Sequence, residues 1–292
     1  MTLVVARRNE GDGHIYMVGD TKFTPVFFDG RDGQSDFIGG LKIVALHPCL
    51  AIAFAGSTVN ARRAIENIHT CGVNIFDKKA VLDYFLSHHL RSLEQGDDAM
   101  VEFIAAIELN DQTSELFLVK NEEVKYVDAG YIGSSIAYNC FLHHEHQLAP
   151  TSPTPSSLAN AMQALEAVIR DSDPALQDVD GFTIGLRQSA NEGFRYVQRV
   201  TVEGRPTPIS NAPLAPMTFG GAPEGANEWS IGSSPGDRYG VLTAYCHTGS
   251  FGVIYCPALS FTPRIVLNCT AMDLVNASML EVNQIITLLE KF

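Results

Sequence analysis

The chain has 292 residues, of which 46% are hydrophobic and 18% charged, and this apolar content excludes a disordered protein. Its 33 acidic and 20 basic residues give a net charge of −13, which makes nucleic acid and anionic membrane surfaces poor partners. No apolar run approaches the roughly 18 residues of a membrane helix, and the opening MTLVVARRNE reverses the charge order of a signal peptide. We therefore expect a cytoplasmic protein without a membrane segment.

The beginning of the chain predicts paired strands followed by helices. TLVVA and HIYMVGD flank the turn residues NEGDG, and LKIVAL and CLAIAFAG flank a break at His47-Pro48, so both pairs are typical of β-hairpins. These strands are too apolar to have one face in water, and we expect other layers to cover both faces. Helices are predicted from about Ser57 to His69 and from Asp77, a good N-cap, to Leu93.

Strands and helices continue in blocks up to about residue 200. Strands are predicted in MVEFIAAIEL, SELFLVK, EVKYVDAG, GFTIGLR and GFRYVQRVTV, and helices in Ser135–His144 and in SLANAMQALEAVIR, which follows a proline-rich linker at 149–157. This order indicates an α+β fold in which sheets are stacked between helical layers, rather than a parallel βαβ sheet.

The last part of the chain forms a predicted C-terminal α/β extension. Residues 204–236 are rich in Gly, Pro, Ser and Asn and predict a long loop or a boundary, so we divide the chain into domains 1–205 and 206–292, or treat it as one continuous domain. Strands are expected near 240–246, 251–256 and 264–269, followed by a helix from Asp273 to about Glu290. Because that helix is apolar around most of its surface, we expect it to be buried, either on its own sheet or between the subunits of a homo-oligomer.

The most informative feature is Thr2, which follows Met1 at the head of a predicted strand. A small second residue normally permits removal of the initiator methionine, and Thr2 would then carry a hydroxyl nucleophile and a free α-amine. An α-amine ordinarily titrates at about 7.7–8.0, and a neighbouring cation would enlarge its neutral fraction. Thr2 is therefore a candidate nucleophile that supplies its own general base.

The predicted hairpins bring other candidate residues towards Thr2. With the first turn centred on Gly11, the antiparallel register places Thr2 opposite Asp20. Lys42 opens the next strand and Gly56 ends its partner, so both are expected at one edge of a sheet. Lys42 would supply a cation, Asp20 would orient it, and the Gly56 N–H would stabilise an oxyanion.

These segments resemble the proteasome-type N-terminal nucleophile (Ntn) hydrolases, which include proteasome β subunits and the bacterial proteasome-like peptidase. TLVVARR…IYMVGD resembles their opening strands, and GLKIVALHPCLAIAFAGSTVNARRAIE resembles their lysine strand. YIGSSIAY resembles their Gly-Ser-Gly motif at the start of a helix. The likeness extends over roughly residues 2–200 and is strongest over 2–68.

The resemblance implies a four-layer αββα sandwich of the Ntn-hydrolase type and a role for each matching residue. Thr2 would be the nucleophile of a threonine peptidase, Asp20 and Lys42 its charge pair, Ser134 the support of the amine, and Gly56 the oxyanion donor. It also implies a peptide or protein substrate and a homo-oligomer, and it leaves open whether an unfoldase partner exists. No metal or organic cofactor is implied, since the nucleophile and the base belong to one residue.

Three departures from the family pattern leave other functions open. The nearest match to its late Asp-x-x-Ser-Gly motif is DVDGF (178–182), the segment between Asp20 and Lys42 is longer, and the last ~85 residues match nothing in the family. One alternative is a catalytically silent scaffold or binding subunit, and another is an Ntn amidase that cleaves small acyl-amides. For Ser134, the alternative is an N-cap of the following helix.

Two histidine-containing segments raise the question of a metal site. Adjacent residues of a helix point in different directions, so at most two of the four side chains of His143–His146 could share one ion. We interpret this segment as a solvated helix end, and His88-His89 in the same way. The loop DGRDGQSD (29–36) does not have the spacing of an EF-hand and is expected to be a surface loop. The sequence therefore predicts no metal site.

Overall fold

The computed structural model describes residues 2–9, 12–21, 41–108, 113–148, 157–171, 173–176, 179, 181–189, 193–197, 199–203, 227–233, 241–247, 250–256 and 260–282. The predicted loop 29–36, the linker at 149–156, Asp178, residues 204–226 of the long loop and the helix beyond residue 282 lie outside these ranges.

The described residues contain fifteen strands and five α-helices. The strands are β1 Leu3–Arg8, β2 Ile15–Gly19, β3 Ile43–His47, β4 Leu50–Gly56, β5 Val101–Glu108, β6 Ser114–Lys120, β7 Glu123–Val127, β8 Ala129–Gly133, β9 Ile184–Ser189, β10 Gly193–Tyr196, β11 Arg199–Glu203, β12 Asn227–Ser233, β13 Leu242–Cys246, β14 Phe251–Cys256 and β15 Ser260–Val266. The helices are α1 Thr58–Asn67, α2 Lys78–Glu94, α3 Ser135–Leu148, α4 Leu158–Arg170 and α5 Ala271–Val282, with short 3-10 helices at Asp97–Ala99 and Pro174–Leu176.

The strands form three five-stranded sheets, and every strand pair is antiparallel. The first sheet has the order β10-β9-β2-β1-β8, the second β3-β4-β5-β6-β7 and the third β11-β12-β13-β14-β15. The predicted α+β class with antiparallel rather than parallel sheets is therefore confirmed. No described helix combines the length and the apolar character needed to cross a membrane.

Alternation along β1 to β4 gives these strands of the first and second sheets two buried faces each. On β1, Leu3 and Val5 belong to an apolar cluster with α3 and α4, whereas Val4 and Ala6 belong to a cluster with residues of the second and third sheets. The outer face of the second sheet packs on α1 and α2 through residues that include Phe85. The expectation that these strands are covered on both faces is confirmed.

The helix starts follow local capping chemistry. The Ser57 hydroxyl accepts from the N–H of Asn60 at the start of α1, and the Asp77 carboxylate accepts from the N–H groups of Lys79 and Ala80 at the start of α2. Such side-chain oxygens satisfy donors that have no partner within the helix. The predicted N-cap at Asp77 and the predicted helix start near Ser57 are confirmed.

Two segments predicted as single strands are each divided between two sheets. EVKYVDAG forms β7 in the second sheet and the first residues of β8 in the first sheet, with a bend at Asp128 between them. GFRYVQRVTV likewise forms β10 in the first sheet and β11 in the third. The single-strand predictions are wrong because the chain passes from one sheet to another, which the apolar pattern does not reveal.

The third sheet and α5 form the C-terminal part of the described chain. Leu274 of α5 is fully buried and lies so close to Gly252 of β14 that a Cβ there would be 2.5 Å from its side chain. Met279 and Leu280 are exposed, so α5 is buried on one side only within a single chain. Strand β11 precedes the predicted boundary at 205/206 and pairs with β12 beyond it. The domain division and the homo-oligomer stay predictions.

Candidate active site

The candidate site lies where the ends of three strands meet. Thr2 directly precedes β1, Asp20 follows β2, and Lys42 precedes β3, so two hairpins in different sheets contribute to one point. All three residues are buried, with exposed fractions of 4%, 1% and 3%. The structure thus brings together the predicted nucleophile and its predicted charge pair.

The three side chains form a closed set of hydrogen bonds. The Lys42 ammonium donates to the Thr2 hydroxyl oxygen and, at 2.6 Å, to Oδ2 of Asp20. The Thr2 hydroxyl donates to Oδ1 of Asp20, which also accepts from the N–H of Leu3 at 2.9 Å. The Thr2 oxygen therefore has a cation on one side and a carboxylate on the other.

The interactions between the charges of Asp20 and Lys42 depend on their burial. Removing a carboxylate and an ammonium from water costs several kcal/mol per ion, and only close pairing with further hydrogen bonds offsets that cost. Asp20 meets this condition through its bonds from Lys42, Thr2 and Leu3. Because water is displaced, the Lys42 charge acts on the Thr2 oxygen through a medium of low dielectric constant.

The register of the first hairpin differs from the prediction by one residue. Val4 pairs with Gly19 and Val5 with Val18, which places Asp20 opposite Leu3 rather than opposite Thr2. The prediction is wrong because the turn closes with the N–H of Asn9 donating to the carbonyl of His14, so the hairpin is not centred on Gly11. Asp20 still contacts Thr2, because its carboxylate accepts a hydrogen bond from the hydroxyl of Thr2, the residue before Leu3.

Residues 133–134 hold the backbone of Thr2. The Ser134 N–H donates to the Thr2 carbonyl at 2.7 Å, and Gly133 adopts a φ of 94° with its missing Cβ only 2.0 Å from that oxygen. The Ser134 hydroxyl accepts from the N–H of Ala137 at 3.2 Å and so caps α3. Ser134 thus contacts Thr2 through its backbone, while its side chain makes the capping bond. Its support of the amine stays a prediction.

Gly56 ends β4 at the same edge as Lys42. The N–H of Phe54 donates to the Lys42 carbonyl at 3.0 Å, and Gly56 follows two residues later with a φ of 95°. A Cβ at Gly56 would lie 2.2 Å from the Met100 carbonyl oxygen, so the neighbouring strand already requires glycine at this position. The shared edge agrees with the sequence analysis, and the oxyanion role stays a prediction.

Two further residues support the site and were not identified from the sequence. The buried Thr21 hydroxyl accepts from the N–H of Phe182 at 3.0 Å and fixes the chain just after Asp20. Oε2 of Glu102 accepts from the N–H of Gly133 at 3.3 Å and so links the second sheet to the segment that holds Thr2. The position of Glu102, an acidic residue inside the apolar strand MVEFIAAIEL, was the available signal.

The predicted solvated state of the histidine segments is right for His143 and His146, which are exposed, but wrong for other residues of the two segments. His89 is buried, with Nδ1 2.7 Å from the Val101 carbonyl, and His88 is nearly buried. Within the segment 143–146, Glu145 is buried and pairs with Arg7 at 2.6 Å. Packing of α2 and α3 on the sheets overrides the polar appearance of these residues. Within the described chain, one group of three side chains could hold a metal ion, and it lies between α3 and α4 rather than at Thr2.

No protein-family model matches the sequence, and a search of curated proteins also finds no match. The functional conclusion therefore depends on the geometry and chemistry of the site.

Proposed function

We propose that the protein is an amide-bond hydrolase that uses Thr2 as its nucleophile after cleavage of the Met1–Thr2 bond. The observation that carries this proposal is the buried contact of the Thr2 hydroxyl with both Lys42 and Asp20. A threonine hydroxyl is a poor nucleophile unless its proton is removed, and a nearby fixed cation favours the negatively charged oxygen. A purely structural threonine would not need a buried ion pair around its hydroxyl.

The chemistry follows from the atoms present. The freed α-amine of Thr2 takes the proton from Oγ1, which attacks the carbonyl carbon of the substrate and forms a tetrahedral intermediate. The carbon–nitrogen bond then breaks, the leaving amine takes the proton, and an ester on Thr2 remains. Water, deprotonated by the same α-amine, attacks this ester and releases the acid, which restores the Thr2 hydroxyl.

The surrounding residues have separate tasks in this proposal. Lys42 stabilises the negative charge that develops on Oγ1, and Asp20 holds the Lys42 ammonium in place at 2.6 Å. Gly56 is the proposed oxyanion donor, which its position at the Lys42 edge supports. The backbone of Ser134 fixes the carbonyl of Thr2, so the nucleophile begins the reaction in a defined position.

The packing supports the proteasome-type version of this function. Helices α1 and α2 cover the second sheet, α3 and α4 cover the first sheet, and the two sheets share an apolar cluster. We propose that this arrangement is the four-layer αββα sandwich of the Ntn hydrolases, with the third sheet and α5 as the extension. On that basis we propose a peptide or protein substrate, a homo-oligomer and an unfoldase partner.

The mass of the purified full chain is the first test. The proposal requires that a fraction of the protein begins at Thr2, because only then does this residue have a free amine. That fraction should be labelled by a threonine-directed covalent inhibitor, and the labelled peptide should contain Thr2. The Thr2→Ala variant should not be labelled, whereas Thr2→Ser keeps a hydroxyl and should be.

Two results would overturn the proposal. One is a protein that retains Met1 throughout and yet hydrolyses amides; the other is hydrolysis that persists in folded Thr2→Ala. Absence of hydrolysis and of labelling in protein that begins at Thr2 would favour the scaffold alternative. Comparing peptides with small acyl-amides as substrates would separate a peptidase from a small-molecule amidase.

A further inference from the structure

A second cluster of reactive side chains lies between two helices, away from Thr2. Cys140 and His144 are one turn apart on α3, and Asp171 directly follows α4. The Cys140 sulfur, a ring nitrogen of His144 and a carboxylate oxygen of Asp171 all lie within 4.8 Å of one another. Three side chains of different metal-binding types therefore converge on one point, although Asp171 is 31 residues from Cys140 in the chain.

A second observation that points to a ligand is an unpaired buried atom of His144. Its Nε2 atom is buried and has no hydrogen-bond partner. Buried polar atoms nearly always have a partner, and an unpaired one costs about 1–3 kcal/mol. A ligand that binds the imidazole at Nε2 would remove this cost.

The carboxylate of Asp171 is oriented for binding. Its Oδ1 accepts from the N–H of Asp173 at 2.9 Å, while Oδ2 lies 3.8 Å from the Cys140 sulfur. Hydrogen bonds of this kind commonly fix the carboxylates that ligate metal ions. One oxygen is thus fixed by the backbone, and the other faces the cysteine.

We propose that Cys140, His144 and Asp171 bind a zinc ion. Zinc accepts sulfur, nitrogen and oxygen ligands together, whereas Ca²⁺ and Mg²⁺ take oxygen ligands. Zinc–ligand bonds of ~2.0–2.3 Å place the ligand atoms within roughly 4 Å of one another, so a small side-chain closure is sufficient. No fourth described His, Cys, Asp or Glu joins this group, and water takes the fourth position.

Zinc binding should depend on pH, because the Cys140 thiol must lose its proton. Burial, and then the nearby charge of Asp171, raise the pKa of the Cys140 thiol, so the thiol keeps its proton in the absence of metal. Zinc binding forms the sulfur–zinc bond and releases that proton to solvent. The thiolate and carboxylate then balance the two charges of the ion, and zinc affinity rises with pH.

The site links two elements of the outer helical layer. Helices α3 and α4 pack together on the first sheet, and zinc would tie α3 to the segment after α4. The run of residues 143–146 does not reveal this site, because the partners of His144 are Cys140 on the preceding turn and Asp171 from another element. The proposed zinc site is independent of catalysis at Thr2.

Metal titration of the full chain tests the proposal. The chelator-treated protein should bind Co²⁺ with a thiolate-to-cobalt absorption band, which Zn²⁺ abolishes, and Zn²⁺ should raise its Tm. Cys140→Ser, His144→Ala and Asp171→Asn should each lower the Zn²⁺ affinity by at least ~100-fold, since these changes remove ligands rather than their partners. The controls Cys71→Ser and His143→Ala change exposed residues and should bind as wild type does.

A second measurement uses only the wild-type chain. Zn²⁺ should protect Cys140 from alkylation, as mapped by mass spectrometry, while the exposed Cys71 reacts equally with and without the ion. Alkylation of Cys140 that is unchanged by Zn²⁺ would overturn the proposal. So would a cobalt complex without a thiolate band, or variants that fold and bind Zn²⁺ like the wild type.

Discussion

The Lys42 ammonium and the Asp20 carboxylate lie 2.6 Å apart, and both side chains are almost completely withdrawn from water. Asp20 follows β2 of the first sheet and Lys42 precedes β3 of the second, so this pair joins the two sheets beside Thr2, which precedes β1. A buried pair is expensive to break, because removal of one partner leaves the other charge without compensation. The pair is therefore a sensitive position for stability as well as for the proposed chemistry.

Lys42→Met is expected to lower the free energy of unfolding by about 3–5 kcal/mol, because Asp20 would remain buried without its counter-charge. Urea denaturation of both proteins measures this loss. The matched control is Lys79→Met, which removes a lysine whose pair with Asp83 is exposed on α2 and screened by solvent, so its stability should stay close to that of the wild type. Equal losses in the two variants would show that Asp20 does not retain a buried charge.

Local signals predicted much of the fold, and what was missed is how the strands pair and which sheet each one joins. The cap at Asp77 was identifiable because a cap acts within a few residues of its own position. The register of the first hairpin was not, since it depends on how the turn between Asn9 and His14 closes. The apolar pattern likewise does not show that the chain passes from the second sheet to the first at Asp128.

In the candidate site, too, some residues were predicted from the sequence and others were missed. Thr2, Asp20 and Lys42 were identified because each lies next to the end of a predicted strand, and the structure brings these ends together from two sheets. Glu102 was not, since its bond to Gly133 joins two sheets whose packing the sequence does not specify.

Gly133→Ala should destabilise the protein by at least about 3 kcal/mol, because the added Cβ would collide with the Thr2 carbonyl oxygen at 2.0 Å. Gly72→Ala is the matched control: Gly72 also has a positive φ, of 69°, but no atom lies within 4 Å of its missing Cβ. The control should lose only the roughly 1–2 kcal/mol of backbone strain. Denaturant unfolding compares the two, and a similar loss in both would contradict the close packing of Gly133 on Thr2.

The stability of the protein should fall as the pH drops below 6.5. Burial lowers the pKa of His88 below its ordinary value of 6.5, with further lowering by the charges of Arg91 and Arg63, and burial lowers the pKa of His47 in the same direction. Between the folded pKa and 6.5 the unfolded chain binds more protons than the folded one. The stability that the neutral His88 and His47 side chains contribute is therefore fully present above pH 6.5, and it is lost as the pH falls through this window.

Unfolding at about pH 7.5 and about pH 5.5 tests this dependence. His88→Gln should reduce the difference between the two values, because the variant lacks one of the buried groups. His146→Gln, a change on the exposed side of α3, should leave the difference as it is in wild type. A free energy of unfolding that rises on acidification across this range would contradict the prediction.

Tyr196 protects the free edge of β3, the strand that follows Lys42. The phenol donates to the Ile43 carbonyl at 2.9 Å and accepts from the N–H of Ala45 at 3.1 Å, so it satisfies two backbone groups on an outer strand of the second sheet. Burial raises the pKa of Tyr196, which keeps the donating proton in place. Tyr196→Phe should therefore cost about 1–3 kcal/mol, because both backbone groups lose their partner without gaining water.

The matched control is Tyr126→Phe, whose phenol accepts from Arg8 at the exposed surface and whose loss should change stability by less than ~0.5 kcal/mol. Hydrogen exchange gives the second readout, since the Ala45 amide should exchange faster in Tyr196→Phe than in the control. Because Ile43 directly follows Lys42, the loosened strand should also slow covalent labelling of Thr2. An Ala45 amide that exchanges at the wild-type rate would mean that β3 keeps its edge closed without the phenol, and that Tyr196 does not hold Lys42 in position.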